Sequence, residues 1–126
     1  MEAKHWHVLV VEDEPDGQEV VRGILDYFNI AADTVGTAED AIHLLNQNSY
    51  NAAVIDLALP GMDGMELVAA IRDSRNTASL PCIAVTAFHT SAVKQQALEA
   101  GFNAYLPKPI DDVAFVSALD RLISAS

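Results

Sequence analysis

Five short apolar runs alternate along the chain with longer segments of helical spacing, and that alternation leaves few folds open. The runs are His7 to Val11, Ile30 to Val35, Ala52 to Ile55, Cys82 to Thr86 and Asn103 to Leu106. None is long enough for a free-standing helix. The first stops at the acidic triplet Glu12-Asp13-Glu14, the third at Asp56 ahead of Pro60 and Gly61, and the fifth at Pro107 to Pro109, so each reads as a short strand. The second is the weakest, because Asp33 interrupts it.

The intervening segments predict helices. Pro15 suits a first turn, and Val20, Val21, Ile24, Leu25 and Phe28 follow at helical spacing, giving a helix from about Pro15 to Phe28. Thr37 with Asp40 three residues later resembles a capping box, and Ala41, Ile42, Leu44 and Leu45 form the apolar face behind it. A third helix is expected from Gly64 to Asp73 with Leu67, Val68 and Ile71 inward, and a fourth from Ser91 to Ala100, stopped by Gly101. The fifth runs from about Asp111 to Ile123, with Phe115, Val116, Leu119, Leu122 and Ile123 on its core side. Five strand-helix units predict one α/β domain over residues 1–126. Its expected architecture is a doubly wound, flavodoxin-like parallel sheet with strand order 2-1-3-4-5.

Composition narrows the function classes. With 51% apolar and 20% charged residues, 126 residues can bury a core without disulfides or metal staples. The longest apolar runs fall far short of a membrane span, and Met1 to Lys4 opens no signal-peptide pattern, so a cytoplasmic address is expected. The single Cys82 cannot form an internal disulfide, in keeping with a reducing compartment. Eighteen acidic against seven basic residues give a net charge of −11, which phosphate backbones repel, so neither nucleic acid nor membrane is an expected partner.

Taken alone, a carboxylate at a strand end, such as Asp56, most often caps a turn. The expected strand order changes that, because it sets the Glu12-Asp13 end of the first strand beside Asp56. Three carboxylates in one cleft raise each other's pKa or hold a cation, and a set of hard oxygens with no Cys or His favours Mg²⁺. Thr86 ends the fourth strand and Lys108 follows the fifth, so both fall on the same sheet edge. There a hydroxyl and an ammonium suit phosphoryl oxygens.

Together these residues resemble one known family. The acidic pair Glu12-Asp13, Asp56 with Leu59-Pro60 and Gly64 behind it, Thr86-Ala87 and Lys108-Pro109 make the chain similar to response-regulator receiver domains of the single-domain chemotaxis type. The resemblance covers His7 to Ile123. It implies a two-component phosphorelay in which Asp56 accepts a phosphoryl group from a histidine kinase or phosphotransfer protein. Asp13, Asp56 and the backbone carbonyl of Ala58 would bind Mg²⁺, and Glu12 would act mainly through water. Lys108 would contact the phosphoryl oxygens, with a Lys108-Pro109 bond that is commonly cis in the family. Thr86 would move to the phosphoryl group and Tyr105 would turn inward behind it. This would switch the face of the fourth helix, fifth strand and fifth helix toward a downstream effector, and that face also allows a homodimer. Catalysis is expected only of the chain's own phosphorylation and dephosphorylation. Glu12 stands where Asp is commoner in the family. Ala58 and Phe88 offer no group to orient a hydrolytic water, and Phe88 is expected to shield the site, so slow self-dephosphorylation is expected.

Other readings are weaker. A haloacid-dehalogenase-type phosphatase needs a second Asp where Ala58 stands, and a flavin binder would place phosphate on the Glu12-Asp13-Glu14-Pro15 loop, which repels it. The alternative with most support is a receiver-like interaction module that signals without phosphorylation. His5, His7, His43 and His89 read as surface or half-buried side chains rather than metal ligands, Met62, Met65 and Phe102 as packing residues, and Cys82 as an inert core thiol. Whether the chain is a stand-alone regulator or a piece of a larger protein stays open.

Overall fold

A computed structural model describes residues 5–125. The strands are β1 (His7–Val11), β2 (Ala31–Val35), β3 (Ala52–Asp56), β4 (Cys82–Thr86) and β5 (Ala104–Pro107). The helices are α1 (Pro15–Tyr27), α2 (Ala38–Gln47), α3 (Gly64–Asp73), α4 (Ser91–Ala100) and α5 (Asp112–Ala125). All strand pairings are parallel and their order is β2-β1-β3-β4-β5, as the alternation predicts.

Each strand alternates its side chains between two apolar layers. Val8, Val10, Ala52, Val54, Ile83 and Val85 pack against Val21 and Leu25 of α1 and Phe115, Val116 and Leu119 of α5. Leu9, Val11, Ala53, Ile55, Cys82 and Ala84 face the other way, onto Ala41 of α2, Leu67, Val68 and Ile71 of α3, and Ala97 of α4. Because both faces are covered, every residue of β3 and β4 is buried, Asp56 and Thr86 included. No described helix is long and apolar enough to cross a membrane.

Departures from the expected boundaries have local causes. The first helix stops at Tyr27 because Asn29 takes a left-handed φ of 59° and the Ile30 N–H returns to the Leu25 carbonyl. Asp111 lies ahead of α5, and its carboxylate accepts from the Ala114 N–H. Asp33 does not break β2, since its carboxylate meets His7 Nε2 at 2.9 Å and accepts from the Tyr50 hydroxyl at 2.7 Å. Burial and this bond push the Tyr50 hydroxyl well above its ordinary range.

Two arrangements fix the ends of the sheet. At the edge where strands finish, Asp63 and Glu66 form a reciprocal capping box at α3. Gly64 there lets the helix approach β3 so closely that a Cβ would lie 2.6 Å from the Asp56 carbonyl oxygen. At the opposite edge Arg72 donates to the carbonyls of Ala78, Leu80 and Gly101 and to Asn103 Oδ1, joining the α3–β4 loop to the α4–β5 turn.

Candidate functional site

Pairing of β1 with β3 puts Val11 opposite Ile55, so Glu12, just past β1, and Asp56, the last residue of β3, emerge side by side. Glu12 is 2% exposed and Asp56 4%, while Asp13 lies in the open. One carboxylate oxygen from each of the three falls within 4.8 Å of the other two. Lys108 enters from β5, where its N–H donates to the Thr86 carbonyl at 2.9 Å. Its Nζ donates to Glu12 Oε1 at 2.5 Å and to Asp56 Oδ2 at 2.9 Å. The Lys108-Pro109 bond is cis.

The second Asp56 oxygen accepts from the Ala58 N–H at 2.9 Å, so both oxygens of a buried carboxylate meet donors. Glu12 is held by three further features. Its Oε2 accepts from the Glu14 N–H, its carbonyl accepts from Gln18 Nε2, and its carboxylate fills the space where a Gly17 side chain would begin. A Cβ at Gly17 would lie 2.4 Å from Oε1, so the absent side chain makes room for a glutamate, one methylene longer than aspartate.

Electrostatics follow from this crowding. Burial and the neighbouring Asp56 carboxyl raise the Glu12 pKa, with Lys108 only partly opposing them. Burial alone would lower the Lys108 pKa, but hydrogen bonds to Glu12 and Asp56 outweigh it and hold the ammonium above its usual range. Three carboxylates face one ammonium in a cleft of oxygen donors, which fits a hard divalent cation. Among the described residues this is the one group of three or more acidic, His or Cys side chains with ligand atoms close enough to hold a metal.

The remaining candidates lie apart from this cluster. Thr86 is 2% exposed, and its hydroxyl accepts from the Phe88 N–H at 3.0 Å in the loop that follows β4. The Phe88 side chain is 72% exposed, which corrects the expectation that it shields the site: the backbone of Phe88 turns toward Thr86 while its ring stays in solvent. Tyr105 is already inside, at 9% exposure, with its hydroxyl 3.0 Å from His89 Nδ1. No spacing rule links His89 to Tyr105, and the sequence reading missed the contact. Of the other histidines, His7 is engaged by Asp33 and lies tilted against the Tyr50 ring at 4.6 Å.

Comparison with known proteins places this arrangement. The sequence pattern of the response regulator receiver domain matches residues 8–120. The chain belongs to that family. It is 34% identical over 116 residues to the transcriptional regulatory protein ResD of Bacillus subtilis, covering 92% of this chain and 47% of that protein. It is 32% identical over 108 residues to the sensor protein GacS of Pseudomonas syringae, covering 83% of this chain and 12% of that one. This receiver thus spans less than half the length of either relative. Among solved structures it resembles the receiver domain of the sensor histidine kinase PA1611 of Pseudomonas aeruginosa, with a TM-score of 0.88 and 30% identity. That likeness covers 94% of this receiver and 98% of the other chain, which carries a magnesium ion coordinated in its active-site cleft.

Proposed function

We propose that this receiver accepts a phosphoryl group on Asp56 in a two-component phosphorelay. The supporting observation is the Asp56 carboxylate itself, buried at a strand end between two acidic neighbours and the Lys108 ammonium. An Asp56 oxygen attacks the phosphorus of a phosphohistidine, the new O–P bond forms as the P–N bond breaks, and the imidazole nitrogen leaves with its electron pair and takes a proton from solvent. Lys108 neutralises charge on the transferring oxygens, and the Ala58 N–H orients the carboxylate.

A divalent cation, Mg²⁺ in this reading, would be held by Asp13, Asp56 and the Ala58 carbonyl, with Glu12 acting through water, and would supply charge neutralisation between carboxylate and phosphoryl group. Thr86 leaves its loop contact to hydrogen-bond the phosphoryl group. The chain turns over no separate substrate. Its partners are a histidine kinase or phosphotransfer protein, a downstream effector that reads the α4, β5 and α5 face, and, through the same face, a second copy of itself. A cytoplasmic address accords with the free, buried Cys82.

Intact mass after incubation with Mg²⁺ and acetyl phosphate tests this, beside Asp56→Asn and an EDTA control. Gain of one phosphoryl group that needs both Asp56 and the metal is the expected result. No adduct under any condition would overturn it and select a module that signals without phosphorylation, a reading favoured by the inward position of Tyr105 in unmodified protein.

A further inference from the structure

We infer that His89 is a positioning residue that holds Tyr105 inward and thereby sets the resting state of the α4, β5 and α5 face. The proposal rests on the reading above only for what this contact regulates. Tyr105 belongs to β5, where it pairs with Ala84, and His89 belongs to the loop that leaves β4. The phenol oxygen lies 3.0 Å from His89 Nδ1, and the two rings approach to 5.5 Å at a tilt of 37°. His89 is itself exposed, so it lies over Tyr105 from the solvent side.

The same loop holds the Thr86 hydroxyl through the Phe88 N–H and caps α4 through the Thr90 hydroxyl, which accepts from the Val93 N–H. Four consecutive positions after Ala87's neighbour Thr86 therefore connect a site residue, a buried tyrosine and a helix terminus. When Thr86 leaves Phe88 for the phosphoryl group, Tyr105 gains an inward preference that does not need His89. His89 thus sets how far the ring is inward before that step, and where it already holds the ring the step has little left to change.

The test uses the full chain labelled with 3-fluorotyrosine, its three tyrosine resonances assigned through Tyr27→Phe and Tyr50→Phe. Broadening by a neutral nitroxide reports how far the Tyr105 ring is exposed. In unmodified protein Tyr105 is expected to be protected, with the inward-to-outward ratio falling about three- to tenfold in His89→Leu, the scale of one hydrogen bond. His89→Asn, whose amide can still bond the phenol, should restore most of the protection. Equal protection in wild type and His89→Leu would overturn the proposal, as would a loss that His89→Asn fails to rescue.

A second arm adds beryllofluoride with Mg²⁺, a stand-in for the phosphoryl group. Tyr105 in His89→Leu should regain protection, while wild type changes little; no recovery in the variant would count against the regulatory role. If beryllofluoride leaves the Ala58 amide resonance unmoved in wild type, the phosphoacceptor reading has failed, and the first arm still decides the contact on its own.

Discussion

Lys108 Nζ sits 2.9 Å from Asp56 Oδ2, joining residues 52 positions apart at the edge where the strands end. The same ammonium also holds Glu12, so one cation keeps two buried carboxylates in place. Lys108→Ala should destabilise the metal-free protein by about 2–3 kcal/mol, toward the low end for a broken buried pair because the lysine side chain is 25% exposed. Thermal melts with and without Mg²⁺ check this, with the metal recovering much of the loss. Phosphorylation by acetyl phosphate should slow about a hundredfold, the scale of losing one preorganised donor.

The raised pKa of Glu12 carries a sign. A carboxyl whose folded pKa lies above its unfolded value of 4.5 contributes stability below that pH and loses it as pH rises through the folded pKa. At neutral pH the ionised glutamate therefore costs stability without a metal. Glu12→Gln should raise the metal-free Tm at pH 7, and the gain should shrink as pH falls toward 4.5. The same variant should lose part of the Mg²⁺-induced rise in Tm, because fewer negative charges remain to attract the ion.

Gly17→Ala is expected to displace the Glu12 carboxylate, since the new Cβ would lie 2.4 Å from Oε1. Calorimetric titration should show Mg²⁺ binding weakened several-fold. Combining it with Glu12→Asp should restore binding, because the shorter side chain vacates the contested space. A double variant as weak as Gly17→Ala alone would show that the glycine acts through the backbone of α1 instead.

Cys82 should be silent in the native protein. Burial, only partly opposed by Arg72, pushes its thiol from 9.0 up to about 11. Its contribution to stability is complete below 9.0 and is lost as pH rises from there through about 11. A disulfide reagent at pH 8 should react within minutes in denaturant and hardly at all without it.

The acyl phosphate on Asp56 should persist. Neither Ala58 nor Phe88 carries a side-chain group that could orient a water by hydrogen bonding, so persistence rests on that lack and not on shielding by the exposed Phe88 ring. A half-life of minutes or longer, followed by intact mass, is the expected outcome, and Ala58→Gln should shorten it several-fold. Loss within seconds in purified wild type would mean that water reaches the phosphoryl group without such help.

Three strands were plainly legible because each is an apolar run closed by an acidic residue or a proline, at Glu12, Asp56 and Pro107, and the Glu12, Asp13, Asp56 and Lys108 cluster followed from the strand ends and the sheet order. Contacts that depend on rotamers were not. Whether the Thr86 hydroxyl faces Phe88 or Asp56, and whether Tyr105 lies in or out, are choices among side-chain conformations that no residue pattern encodes. The Asp63 and Glu66 capping box was readable from its spacing and went unread behind the Pro60-Gly61 turn. Asp33 looked like a strand breaker because its partners His7 and Tyr50 come from other segments. Arg72 gave no signal at all, since its acceptors are mostly backbone carbonyls, which every residue carries.

The Arg72 clamp also bears on mechanics. By gripping the Gly101 carbonyl it pins the last turn of α4, while the first turn rests on the loop that follows Thr86 and carries His89. The helix is then a lever with its fulcrum at Gly101. Its ten residues give an arm of about 15 Å, so a tilt of about 10° would carry Ser91 by about 2.6 Å while the far end stays still. A rearrangement beside Asp56 that moves this loop would thus be felt most at Ser91 and hardly at all at Gly101.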